Sequence, residues 1–126
     1  MMNAVYLDTP CGKIQGVQDG GVNRFLGIRY ATAGRFEYAE EVTAWDGTYQ
    51  ALDFGPAPIQ MRTYPQYRQE DGHYEVEFLK GVDVTYSEDC LFLNIWAPEN
   101  AKNCPVLVVI YGGGNMKGQT NEKELD

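Results

Sequence analysis

Apolar residues fall along this chain in two rhythms. At Val106 to Ile110 five of them follow one another without alternation, a pattern that suits a strand covered on both faces inside a parallel or mixed sheet. Upstream, shorter runs broken by turn residues predict strands at Ala4 to Leu7, Lys13 to Gln18 and Val22 to Ile28. The intervening Thr9-Pro10-Cys11-Gly12 and Asp19-Gly20-Gly21 favour two hairpins. Gly34 to Glu41 reads as a short helix, and Trp45-Asp46-Gly47-Thr48 as a turn ahead of a strand at Tyr49 to Phe54. Gly55-Pro56-Ala57-Pro58 should end any regular element. Gln60 to Tyr86 is polar, tyrosine-rich and aperiodic, which predicts a long surface loop with one helical turn near Val76 to Lys80. Strands at Leu91 to Trp96 and Val106 to Tyr111 follow, joined by the polar turn Pro98 to Asn103, and Thr120 or Asn121 caps the start of a helix.

A strand apolar on both faces needs helices on both sides, and this sequence offers hardly any. Residues 106–110 are therefore expected to be covered by a second polypeptide, by another copy of the chain, or by sequence beyond these 126 residues. Self-association is the expected escape for an unfinished sheet, because its edges present unpaired backbone groups. The strand runs into Gly112-Gly113-Gly114. Glycines at such a point let several backbone N–H groups converge on a phosphate, a carboxylate or the oxyanion of an acyl-transfer intermediate.

Charge narrows the partners. With 10 Lys plus Arg against 18 Asp plus Glu, the net charge is −8, which argues against nucleic acid and against anionic membrane surfaces. Met1 to Pro10 carries neither a basic start nor a secretory apolar core, and Val106 to Tyr111 is far too short to cross a bilayer. These features predict a soluble, cytoplasmic protein. Cys11, Cys90 and Cys104 are odd in number, far apart and form no C-x-x-C pair, so neither a zinc site nor a full disulfide framework is signalled.

The residues carry a wider pattern. Gly12-Lys13-Ile14-Gln15-Gly16, Phe25-Leu26-Gly27-Ile28, Arg35-Phe36, Trp45-Asp46-Gly47 and Phe54-Gly55-Pro56 occur in that order. They are followed by Ser87-Glu88-Asp89-Cys90-Leu91-Phe92-Leu93-Asn94-Ile95-Trp96-Ala97-Pro98 and then by the glycine-ended strand. Together these blocks resemble the amino-terminal part of the type B carboxylesterase and cholinesterase family of α/β-hydrolases along nearly the whole chain. The resemblance implies the amino-terminal part of an α/β-hydrolase mixed sheet, with early antiparallel strands, central strands and few helices, over residues 1–126 as a partial domain. It also implies carboxylic ester hydrolysis of small-molecule substrates without a cofactor. By position it makes Gly113 and Gly114 the backbone donors to the oxyanion, and it pairs Arg35 with Glu88 as a structural tie.

Several family features are missing. No G-x-S-x-G nucleophile elbow occurs in the 126 residues, nor the acid and histidine that would follow it. Ser87 is the sole serine, and His73, the sole histidine, lies upstream of the glycines in the polar loop and reads as a surface residue. The expectation is a segment inactive alone, active once a complementary carboxyl-terminal polypeptide supplies serine, acid and histidine. A non-catalytic interaction module or a stranded fragment is the alternative. The family often bridges the cysteine of the Glu-Asp-Cys-Leu block to one near the Phe-Gly block, but Gly55-Pro56-Ala57-Pro58-Ile59-Gln60 offers none, which suits a reducing compartment. Arg29, and Asn115-Met116-Lys117 beside the glycines, also depart from the family pattern, so substrate preference does not carry over. A phosphate loop fails at Gln119, where G-x-x-x-x-G-K-[ST] needs lysine, and G-x-G-x-x-G fails at Lys117. The nine tyrosines read as half-buried packing, not as a carbohydrate platform.

Overall fold

A computed structural model describes residues 2–60 and 84–120. Nine strands follow in chain order: β1 (Asn3–Thr9), β2 (Gly12–Asp19), β3 (Val22–Arg29), β4 (Ala31–Thr32), β5 (Glu40–Glu41), β6 (Thr48–Gln50), β7 (Ala57–Pro58), β8 (Tyr86–Ser87) and β9 (Phe92–Pro98). No helix occurs among the described residues. The chain divides into two compact units, residues 1–55 with 91–108 and residues 56–90 with 109–126.

In the first unit β1, β2, β3 and β9 lie side by side in that order, antiparallel, and β6 pairs with β2 in parallel. Both predicted hairpins form. Thr9 pairs with Gly12 across a two-residue loop, where the Thr9 hydroxyl donates to the Gly12 carbonyl at 2.8 Å and accepts from Cys11 N–H at 3.2 Å. Asp19 pairs with Val22 across Gly20-Gly21. Both of those glycines have positive φ, 56° and 84°, as a primed turn matching the strand twist requires.

Halfway along, β3 leaves β2. The two strands pair over Val17 to Asp19 against Arg24 to Val22, after which the β3–β9 register shifts between Phe25 and Ile28. A bulge of this kind strands backbone groups that must find other partners. β6 and the residue after it fill the gap: Leu26 N–H donates to the Ala51 carbonyl at 3.0 Å, and Ala51 N–H donates to the Gln15 carbonyl at 2.9 Å. Side chains complete the accounting. Gly27 N–H donates to Asn94 Oδ1 at 2.8 Å, the Tyr49 hydroxyl donates to the Gly27 carbonyl at 2.8 Å, and Arg29 N–H donates to that hydroxyl at 3.0 Å. The Trp45 indole is fixed to the same sheet, donating from Nε1 to the Lys13 carbonyl at 2.8 Å, with its ring 5.0 Å from that of Tyr49. The core here is small: Ile14, Phe25, Ile28 and Ala51, with Val5, Trp45 and Tyr49 packed against it. At the end of β3 the Arg29 guanidinium lies over the Phe92 ring, 4.6 Å from its centre.

Three expectations are corrected. Gly34 to Glu41 forms no helix: Phe36 adopts φ of 62°, residues 32–41 are all exposed, and β4 pairs with β5 through Ala31 with Glu41 and Thr32 with Glu40. A helix there would bury nothing, so the backbone pairing prevails. The strand expected over Tyr49 to Phe54 is shorter and earlier, because Ala51 turns its backbone to both β2 and β3. Val106 to Ile110, expected to be a strand buried on both faces, is no strand and is 62–88% exposed at every residue. Among the described residues no strand runs beside it, and an extended segment without a neighbour has neither ladder nor cover. The helical turn expected near Val76 to Lys80, His73, and the helix expected beyond Thr120 lie outside the described residues.

Candidate functional site

The second unit is held by short pairings. β7 runs parallel to β8, with Ala57 beside Tyr86 and Pro58 beside Ser87, and Ala57 N–H donates to the Thr85 carbonyl at 2.8 Å. The Ser87 hydroxyl accepts from Asp89 N–H at 3.1 Å and so closes the turn into the Asp89-Cys90 block.

Gly112-Gly113-Gly114 lies in a tight turn. The Gly113 carbonyl accepts from Met116 N–H at 3.1 Å and from Lys117 N–H at 3.3 Å. Gly113 and Gly114 have φ of 139° and 62°, and Asn115 follows at 57°. A methyl group on Gly113 would collide with the Lys117 carbonyl oxygen, so the turn excludes any side chain there. Gly113 is half-buried and Gly114 exposed. Among the described residues neither amide donates a hydrogen bond.

Two residues escaped the sequence reading. The Gln60 side chain engages both backbone groups of Gly118: its Oε1 accepts from Gly118 N–H at 2.9 Å, and its Nε2 donates to the Gly118 carbonyl at 3.0 Å and to the Pro58 carbonyl at 3.0 Å. Gln119 is buried, at 1% exposure, and among the described residues neither its Oε1 nor its Nε2 has a hydrogen-bond partner. A buried amide of this kind ordinarily binds water. No local pattern flags either glutamine, because Gln60 acts across 58 residues and Gln119 is distinguished only by its burial.

Cys11, Cys90 and Cys104 are free thiols. Burial, and to a lesser degree the neighbouring Asp89 carboxylate, push the Cys90 thiol above its ordinary range. No helix among the described residues is long and apolar enough to cross a membrane.

Comparison with known proteins defines the class first. A solved PNB esterase superposes on 96% of this chain and 24% of its own length, with a TM-score of 0.76 and 29% identity, so the chain has the fold of part of an α/β-hydrolase esterase. A profile of the carboxylesterase family matches residues 3–126, and the chain belongs to that family. It is 37% identical over 123 residues to the acetylcholinesterase of Bungarus fasciatus, covering 89% of this chain and 19% of that protein. It is 36% identical over 129 residues to the bile salt-activated lipase of Mus musculus, covering 93% and 18%. The chain thus spans about a fifth of the length of these relatives.

Proposed function

We propose that the chain supplies the oxyanion loop of a carboxylic ester hydrolase, with the backbone N–H groups of Gly113 and Gly114 aimed at the oxygen that becomes negative when the ester carbonyl is attacked. The observation that carries this reading is a turn, closed by bonds to the Gly113 carbonyl, in which the amides of Gly113 and Gly114 donate to nothing among the described residues. Backbone N–H groups that no protein group uses in a positive-φ turn are open to an outside acceptor, and an oxyanion is such an acceptor. The exclusion of a side chain at Gly113 keeps the approach close.

The nucleophilic serine, its acid and its histidine come from a carboxyl-terminal part, a complementary polypeptide or further sequence of the same one, because an oxyanion loop with no tetrahedral intermediate to stabilise does no chemistry. The 126 residues alone are inactive, and the substrate of the completed site is a small-molecule ester. The exposure of Val106 to Ile110 favours such a partner, since five adjacent apolar side chains at 62–88% exposure form the kind of surface that another polypeptide covers. Self-association is the second reading, favoured by the same surface, and leaves a non-catalytic interaction module. Three free thiols suit a reducing compartment such as the cytoplasm.

Native mass spectrometry of the protein, run beside hydrolysis of a short-chain p-nitrophenyl ester, tests this. The expected result is turnover only where a second polypeptide, or further sequence of the same one, accompanies the 126 residues. Turnover by a 126-residue species alone would overturn it, and a self-associated, inactive species would establish the second reading.

A further inference from the structure

The glycine turn closes at Gly118, and there its geometry is imposed from a distant segment. Gln60 meets Gly118 as one strand meets another, accepting from its N–H at 2.9 Å and donating to its carbonyl at 3.0 Å. The second Nε2 hydrogen goes to the Pro58 carbonyl at 3.0 Å, so both donors of the side-chain amide are engaged. Pro58 is itself held in β7 beside Ser87 of β8. One side chain therefore joins the end of the glycine turn to a paired element rather than to a free loop. The amide orientation follows from the partners, because exchanging Oε1 and Nε2 would set donor against donor at Gly118 N–H and acceptor against acceptor at two carbonyls.

We infer that Gln60 is a positioning residue, fixing through Gly118 the conformation in which the turn presents the amides of Gly113 and Gly114. This rests on the proposed role of those amides, and it adds a residue 53 positions upstream of Gly113 that touches no substrate. Gly118 is four residues from Gly114, and the Gly113 carbonyl bonds to Met116 and Lys117 between them. Release at Gly118 frees the carboxyl-terminal end of the turn, leaving its geometry to the two bonds at the Gly113 carbonyl alone, and misplacement of an oxyanion donor by about an ångström lowers turnover by up to roughly a hundredfold.

Three variants, Gln60→Ala, Gln60→Met and Gln60→Glu, test this in the catalytically complete hydrolase by amide hydrogen exchange and steady-state kinetics. Gln60→Ala and Gln60→Met are expected to reduce protection of the Gly118 amide by at least about tenfold and to lower kcat by roughly ten- to a hundredfold with KM little changed. Equal loss in both separates hydrogen bonding from volume, since Met fills nearly the space of Gln. Gln60→Glu sets a carboxylate against the Gly118 and Pro58 carbonyls while retaining the acceptor for Gly118 N–H. Protonation returns one donor, so as pH falls from about 7 to about 5 its Gly118 protection should recover. So should its kcat taken as a ratio to that of the unmodified hydrolase at the same pH, whose own kcat falls as the catalytic histidine protonates; Gln60→Met should show neither recovery.

Unchanged Gly118 protection in Gln60→Ala would overturn the inference. So would lost protection with unchanged kcat, provided that replacing the Gly114 amide by a backbone ester does lower kcat. If the ester too leaves kcat unchanged, it is the oxyanion role of the loop that falls, and the positioning role with it.

Discussion

The sheet around β2 and β3 and the run Val106 to Ile110 are built from similar residues and end in opposite states. Phe25, Leu26 and Ile28 are buried at 3–8% exposure, whereas the five residues of the run are 62–88% exposed. The difference is not apolar content. β3 lies between β2 and β9, and where it leaves β2 the backbone is taken up by Ala51, Asn94 and Tyr49. The run has no strand beside it among the described residues. Apolar patterning states what a strand requires, and pairing decides whether the requirement is met.

The comparison breaks most strongly at the core of the sheet. Phe25→Ala should cost about 3–5 kcal/mol, enough to abolish cooperative unfolding of the chain monitored by circular dichroism; an unaltered transition would mean that the sheet is held by something other than this core. Tyr49→Phe comes next. It removes the hydroxyl that accepts from Arg29 N–H and donates to the Gly27 carbonyl, so two hydrogen bonds at and beside the bulge are lost, and should destabilise by about 1–3 kcal/mol in denaturant titration. Val108→Asp should by contrast shift that titration by no more than about 0.5 kcal/mol. The same change should weaken self-association or binding of the complementary polypeptide, measured by analytical ultracentrifugation. Strong destabilisation of the isolated chain would show that the run is packed within it.

The smallest effect is chemical. The Cys90 thiol is held above its ordinary range by burial and by Asp89, while Cys104 is exposed. A raised thiol pKa leaves less thiolate at a given pH, so iodoacetamide should label Cys104 before Cys90 near pH 8, with the Cys90 rate profile displaced to higher pH. Equal rates across the pH range would contradict the burial of Cys90.

Elements whose cause is local were legible in the sequence. Asp19-Gly20-Gly21 makes a hairpin because two adjacent glycines accept positive φ, and β1, β2, β3 and β9 fall where short apolar runs lie between turn residues. Elements whose cause is remote were not. The Gly34 to Glu41 segment was lost to a pairing with Ala31-Thr32, which no helical pattern could foresee, and the strand over Val106 to Ile110 awaited a neighbour. At the candidate site the glycines themselves were visible. Their support was not, because Gln60 reaches Gly118 from 58 residues away and Gln119 becomes notable only through burial with neither amide atom partnered among the described residues.

The central claim is that the Gly114 amide is a hydrogen-bond donor to a developing oxyanion. Gly114→Pro removes that donor but also demands φ near −65°, against the 62° observed. Replacing the residue-114 amide by a backbone ester in the catalytically complete hydrolase removes the N–H without constraining φ. Because the ester carbonyl is that of Gly113, which accepts from Met116 and Lys117 N–H, retained protection of the Gly118 amide is measured beside it as the sign that the turn still forms. The expected result is a fall in kcat of about a hundred- to a thousandfold with KM little changed; a kcat equal to that of the unmodified protein would show that the Gly114 N–H is not an oxyanion donor.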